Sequence, residues 1–181
     1  VVWGRPPTTI LPEQTLKNNY VDAVVIGEGE HSFRKLIEYY EGKRVKLRGV
    51  GIKIRGKIKI MPPSTECIDL DKLPIPAWDL LENINTYFPY KKHNEIPIST
   101  TRGCVFKCGF CHNSNENVKR YLGSYRIARP EKALKEYKLV QNLVKNEIDI
   151  LDVGEDLHLV SQEYCKKFCD TINKSRYRLK W

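Results

Sequence analysis

Apolar and polar positions along the chain fall into short blocks, and the period of each block names its element. Val1-Val2-Trp3, followed by Gly4-Arg5-Pro6-Pro7, reads as a strand end and a turn. Pro12-Glu13-Gln14-Thr15-Leu16 opens a short helix with proline at an early position. Val21-Asp22-Ala23-Val24-Val25-Ile26 is a β-branched apolar run, the pattern of a buried parallel strand. Gly27-Glu28-Gly29-Glu30 turns the chain. The helix that follows carries Phe33, Leu36, Ile37 and Tyr40 on one face, and Gly42 lies just past its end. Strand, helix, strand, helix is a piece of a doubly wound α/β domain.

The next block changes period. Val50 to Ile60 alternates strictly on either side of Arg55-Gly56, which predicts a hairpin. The reading sets Ile52, Ile54, Ile58 and Ile60 on one side and the lysines on a wet face. Pro62-Pro63 ends it. Asp69 to Leu80 is a proline-rich, extended linker, with Leu73, Ile75 and Trp78 available to dock it. Arg129-Pro130-Glu131 starts a helix, and Ala133, Tyr137, Val140 and Val144 recur on its core face. Ile148 to Val153 is a strand, with Gly154-Glu155-Asp156 at its C-terminal end. A last helix is capped by Ser161, with Glu163 in its first turn and Tyr164, Phe168 and Ile172 on its apolar side. Arg178-Leu179-Lys180-Trp181 begins another strand.

Composition narrows the class. At 181 residues and 41% hydrophobic content the chain can hold one domain or two small ones. No apolar run approaches the ~20 residues that span a bilayer, and no secretory signal stands out. Net charge is +9, with Lys119, Arg120, Arg126 and Arg129 gathered late in the chain. That group reads either as solvated surface or as a contact for a phosphate-bearing substrate. The chain begins at Val1 and its one methionine is Met61, so an internal piece of a longer protein is expected.

The chemistry sits in Thr100-Thr101-Arg102-Gly103-Cys104-Val105-Phe106-Lys107-Cys108-Gly109-Phe110-Cys111-His112-Asn113. Three of the six cysteines fall there, spaced Cys-x-x-x-Cys-x-x-Cys. Gly103 and Gly109 permit the tight turns that would wrap thiolates around one centre. Soft thiolates suit iron–sulfur clusters and zinc. Either usually takes four protein ligands, so three close thiolates imply one open coordination position. A zinc knot would need a fourth ligand. His112 is adjacent to the third cysteine, and His93 and Cys67 are far away in sequence. Free cysteines at Cys67, Cys165 and Cys169 read as packing, although Cys165 and Cys169 lie one helical turn apart. Thiolate chemistry predicts a reducing, cytoplasmic compartment.

This spacing, with Phe110 just before the third cysteine and Ile96-Pro97-Ile98-Ser99 leading in, resembles the signature of radical S-adenosylmethionine enzymes. The resemblance implies that Cys104, Cys108 and Cys111 hold three irons of a [4Fe–4S] cluster. S-adenosylmethionine would chelate the fourth iron and be cleaved to a 5′-deoxyadenosyl radical. It also puts Phe110 near the adenine and Glu155 or Asp156 near the amino group. Gly27-Glu28-Gly29-Glu30 and the Leu73-Pro74-Ile75-Pro76-Ala77-Trp78 connector resemble the subclass with an N-terminal cobalamin-binding domain. That subclass has Gly-Gly where this chain has Gly4-Arg5, so Gly4 is the residue carried over for cobalamin.

The implied architecture has three parts. Residues 1–44 are the tail of a Rossmann-like cobalamin-binding-type domain, 45–95 a β-hairpin and proline-rich linker, and 96–181 the start of a TIM-type (β/α)6 barrel. The implied partners are a small-molecule substrate and a flavodoxin- or ferredoxin-type electron donor. Methyl transfer and oxidative ring formation both fit the subclass. A sulfur-inserting enzyme acting on RNA and a non-catalytic zinc-binding module are the alternatives. No catalytic side chain is assigned.

Overall fold

The computed structural model describes residues 1–63, 67–82, 98–123, 125–143 and 161–175. They divide into two units, Val1–Ile68 with Gly103–Ser124, and Asp69–Arg102 with Tyr125–Trp181. In the first unit, β1 (Val2–Trp3), β2 (Ala23–Val25), β3 (Val50–Ile54) and β4 (Lys57–Met61) form one sheet in the order β1-β2-β3-β4. β1 and β2 are parallel, as the strand–helix–strand pattern requires. Their crossover holds α1 (Pro6–Ile10) and α2 (Pro12–Leu16), each opening on proline. The sequence suggested only a turn at Pro6-Pro7. Thr8 and Thr9 are buried there, and the Thr8 hydroxyl donates to the carbonyl oxygen of Val25 at 2.6 Å.

α3 (Gly29–Tyr40) follows β2. Its buried contact narrows to Leu36, while Phe33, Ile37 and Tyr40 stay exposed. The turn before it is held from two sides. The Gly27 amide donates to the Thr9 hydroxyl at 3.0 Å, and the Ile68 amide donates to the Glu28 carboxylate at 2.8 Å. Glu28 of the expected turn thus grips backbone.

The hairpin corrects the expected faces. β3 and β4 pair antiparallel, with Ile54 opposite Lys57, Lys53 opposite Ile58 and Ile52 opposite Lys59. Directly opposed residues share a face. The two-residue turn therefore sends Ile52 to one face and Ile58 and Ile60 to the other. Both faces are covered, one by α3 and the other by α2. Ile52 packs with Ala23, Val25, Leu36 and Val50 on the α3 side. Ile58 and Ile60 pack with Leu16, Val21, Val24 and Ile26 on the α2 side. Gly51 lies between Val24 and Ile60, and a Cβ there would meet the Leu16 Cδ1 at 2.7 Å. Glycine lets α2 rest on the sheet.

In the second unit, β5 (Thr101–Arg102) pairs antiparallel with a later strand at Arg126–Ile127, and the Ala128 amide donates to the Thr100 carbonyl at 2.8 Å. α4 (Glu116–Leu122) lies between them in sequence and belongs to the first unit. The strand Arg126–Ile127 is β6; α5 (Pro130–Leu143) and α6 (Gln162–Ser175) follow. Ile98, Ala133, Tyr137, Val140, Tyr164 and Phe168 form the core of this unit. The helical faces read from the sequence are therefore the packed ones. The linker is strapped to α5 by three sets of contacts. Arg129 meets the Asp71 carboxylate through its amide at 2.8 Å and its Nε at 3.1 Å. Lys132 donates to the carbonyls of Leu70 and Leu73. The Trp78 indole N–H donates to the buried Glu136 carboxylate at 2.9 Å. The expected strands at Ile148–Val153 and Arg178–Trp181, and Val144, lie outside the described residues.

Candidate metal centre

β5 ends at Arg102, and the chain enters the cysteine loop at Gly103, which takes φ 78°. This is the left-handed turn for which glycine was expected. From Cys108 onward the loop is tied by a continuous run of hydrogen bonds. The Cys111 amide and the Ser114 hydroxyl both donate to the Cys108 carbonyl, at 3.0 and 2.6 Å. The Ser114 amide donates to Cys111 and the Asn115 amide to His112, each at 3.0 Å, closing a 3-10 turn over His112–Ser114. Asn115 then caps α4, its side chain accepting from the Asn117 amide at 2.9 Å. The first half of the loop has a sulfur contact of its own. There the Phe106 amide donates to the Cys104 sulfur at 3.4 Å.

All three thiols are free, with Cys108 exposed and Cys104 and Cys111 half-buried. Phe110 is 94% exposed. The donors suit an iron–sulfur cluster in kind, being three soft thiolates on one short loop. Among the described residues, no three Cys, His, Asp or Glu side chains converge into a ligand set. His93, Gly154, Glu155 and Asp156 lie outside the described residues. Gly4 is exposed at the C-terminal end of β1, and a Cβ on it would meet nothing within 4 Å. Parallel strands bind ligands at that end.

The other cysteines and the basic residues find different places. Cys67 and Cys169 are exposed rather than packed, and Cys165 is half-buried, at a boundary. Lys119 and Arg120 occupy the last turn of α4, where cations suit the helix dipole, and the Arg120 guanidinium lies 5.9 Å from the Tyr121 ring centre. Arg129 is committed to Asp71. A cavity of about 360 Å³ between the strap and α5 is lined by Arg129, Lys132 and Lys135, and two of these three already hold the linker.

No family model matches this sequence. An uncharacterized methyltransferase from Pyrococcus horikoshii is 37% identical over 129 residues, which cover 68% of this chain and 27% of the relative. The cytidylyl-2-hydroxyethylphosphonate methyltransferase of Streptomyces wedmorensis is 25% identical, covering 81% of this chain and 34% of the relative. In structure, the cobalamin-dependent S-adenosylmethionine radical enzyme OxsB matches 99% of this chain with a TM-score of 0.73 and 20% identity. The radical S-adenosylmethionine methyltransferase TsrM from Kitasatospora setae matches 97% with a TM-score of 0.69 and 17% identity. In fold, this chain is similar to a stretch of these radical S-adenosylmethionine enzymes. The likeness read from the motifs therefore holds. The likeness extends over the parallel pair β1–β2 and the mixed sheet built on it. The chain spans about a quarter to a third of the length of these relatives and neighbours.

Proposed function

We propose that the chain is the cluster-bearing segment of a cobalamin-associated radical S-adenosylmethionine methyltransferase. The observation that carries this reading is the loop itself. Three free thiols stand on one glycine-turned loop inside a fold shared with such enzymes. Cys104, Cys108 and Cys111 would hold three irons of a [4Fe–4S] cluster. Bound there, the cluster would supply the electron that cleaves S-adenosylmethionine. The exposed Phe110 ring is free to cover the adenine, and Glu155 or Asp156 would take the amino group. Gly4, at the ligand-binding end of the parallel strands, would let a cobalamin tail approach backbone. Both curated relatives are named methyltransferases, which favours methyl transfer over ring formation. The division at residues 44 and 95, the barrel start after it, a small-molecule substrate and a flavodoxin- or ferredoxin-type donor belong to the same reading.

The test is anaerobic reconstitution with iron and sulfide, followed by electron paramagnetic resonance of the reduced chain. We expect a [4Fe–4S]⁺ signal that changes when S-adenosylmethionine is added. Replacing any one loop cysteine by alanine should remove most of the iron. Stoichiometric zinc with no cluster, or a triple alanine variant that keeps its iron, would overturn the assignment.

A further inference from the structure

We infer that Gly27 is a positioning residue for the cysteine loop, acting through α4. Its relevance to chemistry rests on the function proposed above; its geometry does not. Cys108 and Cys111 belong to the hydrogen-bonded run that becomes α4 at Asn115, where the Lys119 amide donates to the Asn115 carbonyl at 3.0 Å. Whatever fixes α4 fixes the backbone of both cysteines. Two side chains help to seat α4. Val118 is buried, and Tyr121 packs against the cluster of Leu16, Val21, Val24 and Ile26.

The seat is Gly27. Its φ is 74°, and a Cβ there would lie 3.0 Å from the Tyr121 carbonyl oxygen and 3.2 Å from the Tyr121 Cβ. Both are tighter than ordinary van der Waals contact, and the first is to backbone. A backbone atom cannot rotate aside, so the helix as a whole would have to move. Gly27 cannot retreat either. Its amide is held by the hydroxyl of buried Thr9, and the preceding Ile26 amide donates to the Gly49 carbonyl at 2.8 Å. A side chain at position 27 therefore displaces α4, and with it Cys108 and Cys111. The Gly-Glu-Gly-Glu turn then has two jobs. Glu28 grips the chain at Ile68, and Gly27 gives the exit helix of the cysteine loop its place.

The chain supplies its own control. Gly42 also has positive φ, 82°, but a Cβ there meets nothing within 4 Å. Gly42→Ala imposes the same backbone penalty without touching α4. Hydrogen exchange of the metal-free, reduced chain is compared for wild type, Gly27→Ala and Gly42→Ala, read on peptides covering 108–123, 130–143 and 50–61. Gly27→Ala should speed exchange in 108–123 by on the order of tenfold, as local opening of that segment becomes easier, while the other two peptides hold. Gly42→Ala should leave 108–123 unchanged. Equal exchange in 108–123 for the two variants would overturn the inference, as would acceleration spread over all three peptides. After reconstitution, Gly27→Ala should also lose iron to a chelator faster than Gly42→Ala. If wild type takes up no cluster while the exchange pattern stands, the proposed function fails and the seat survives.

Discussion

Arg55 shows how one residue sets the geometry of many. It sits at φ 48° and Gly56 at φ 76°, the two positive angles that a type I′ hairpin turn requires. Glycine tolerates this; arginine does so at a cost, because its Cβ crowds the carbonyl. Arg55→Asn should therefore raise stability by roughly 0.5–1 kcal/mol, the scale of relieving one strained turn position. A thermal melt a few degrees higher would show it; an unchanged or lower melt would count against the strain. At this scale the sequence was legible where function is local. Cysteine spacing and the glycine turn at Gly103 follow from nine neighbouring residues. It was silent on Thr8 and Thr9, whose burial depends on carbonyls and amides contributed from β2 and the turn after it. It was also silent on Gly27, whose close neighbour Tyr121 is brought there only by the fold.

Elements tell a similar story about what period can and cannot fix. Alternation identified β3 and β4 correctly, and the helical spacing found the packed faces of α5 and α6. It misplaced the isoleucines, because strand period alone carries no information about the parity of the turn between strands. A two-residue turn reverses the assumed parity, and the resulting sheet buries apolar side chains on both sides. The same two-sided cover makes Gly51 critical. An alanine there would press against Leu16 and Ile60 at 2.7 Å and Val24 at 2.8 Å. Gly51→Ala should cost about 1–3 kcal/mol, as overpacking of a close-packed interior does, read as a lower midpoint in urea. An undisturbed midpoint would show that α2 can shift away from the sheet without loss. On α3, period over-promised. Four apolar residues share the stripe, yet only Leu36 is buried.

For the molecule as a whole, the order of segments carried the most information. The acidic glycine turn, the hairpin, the proline-rich strap and the cysteine loop each match weakly or locally. Together they led to the fold that the structural neighbours share across nearly the whole chain. Net charge did not discriminate. The late basic residues sit on different elements, and one is already paired with a carboxylate. On the small-molecule reading, binding to single-stranded RNA should be weak at low salt and collapse by about 0.2 M salt, as sequence-independent phosphate contacts do. Tight binding that persists at that salt would favour an RNA substrate instead. Among the described residues, no helix is long and apolar enough to cross a membrane.

The strap has an optical consequence. Trp78 is half-buried and donates its indole N–H to a buried carboxylate, whereas Trp3 stands 48% exposed on an edge strand. The two indoles sample different solvent and different electric fields, so their emission maxima should separate. With Trp3 and Trp181 changed to phenylalanine, the remaining fluorophore reports on one hydrogen bond. Its colour and quenching would track, in real time and without any label, whether the linker is fastened to α5.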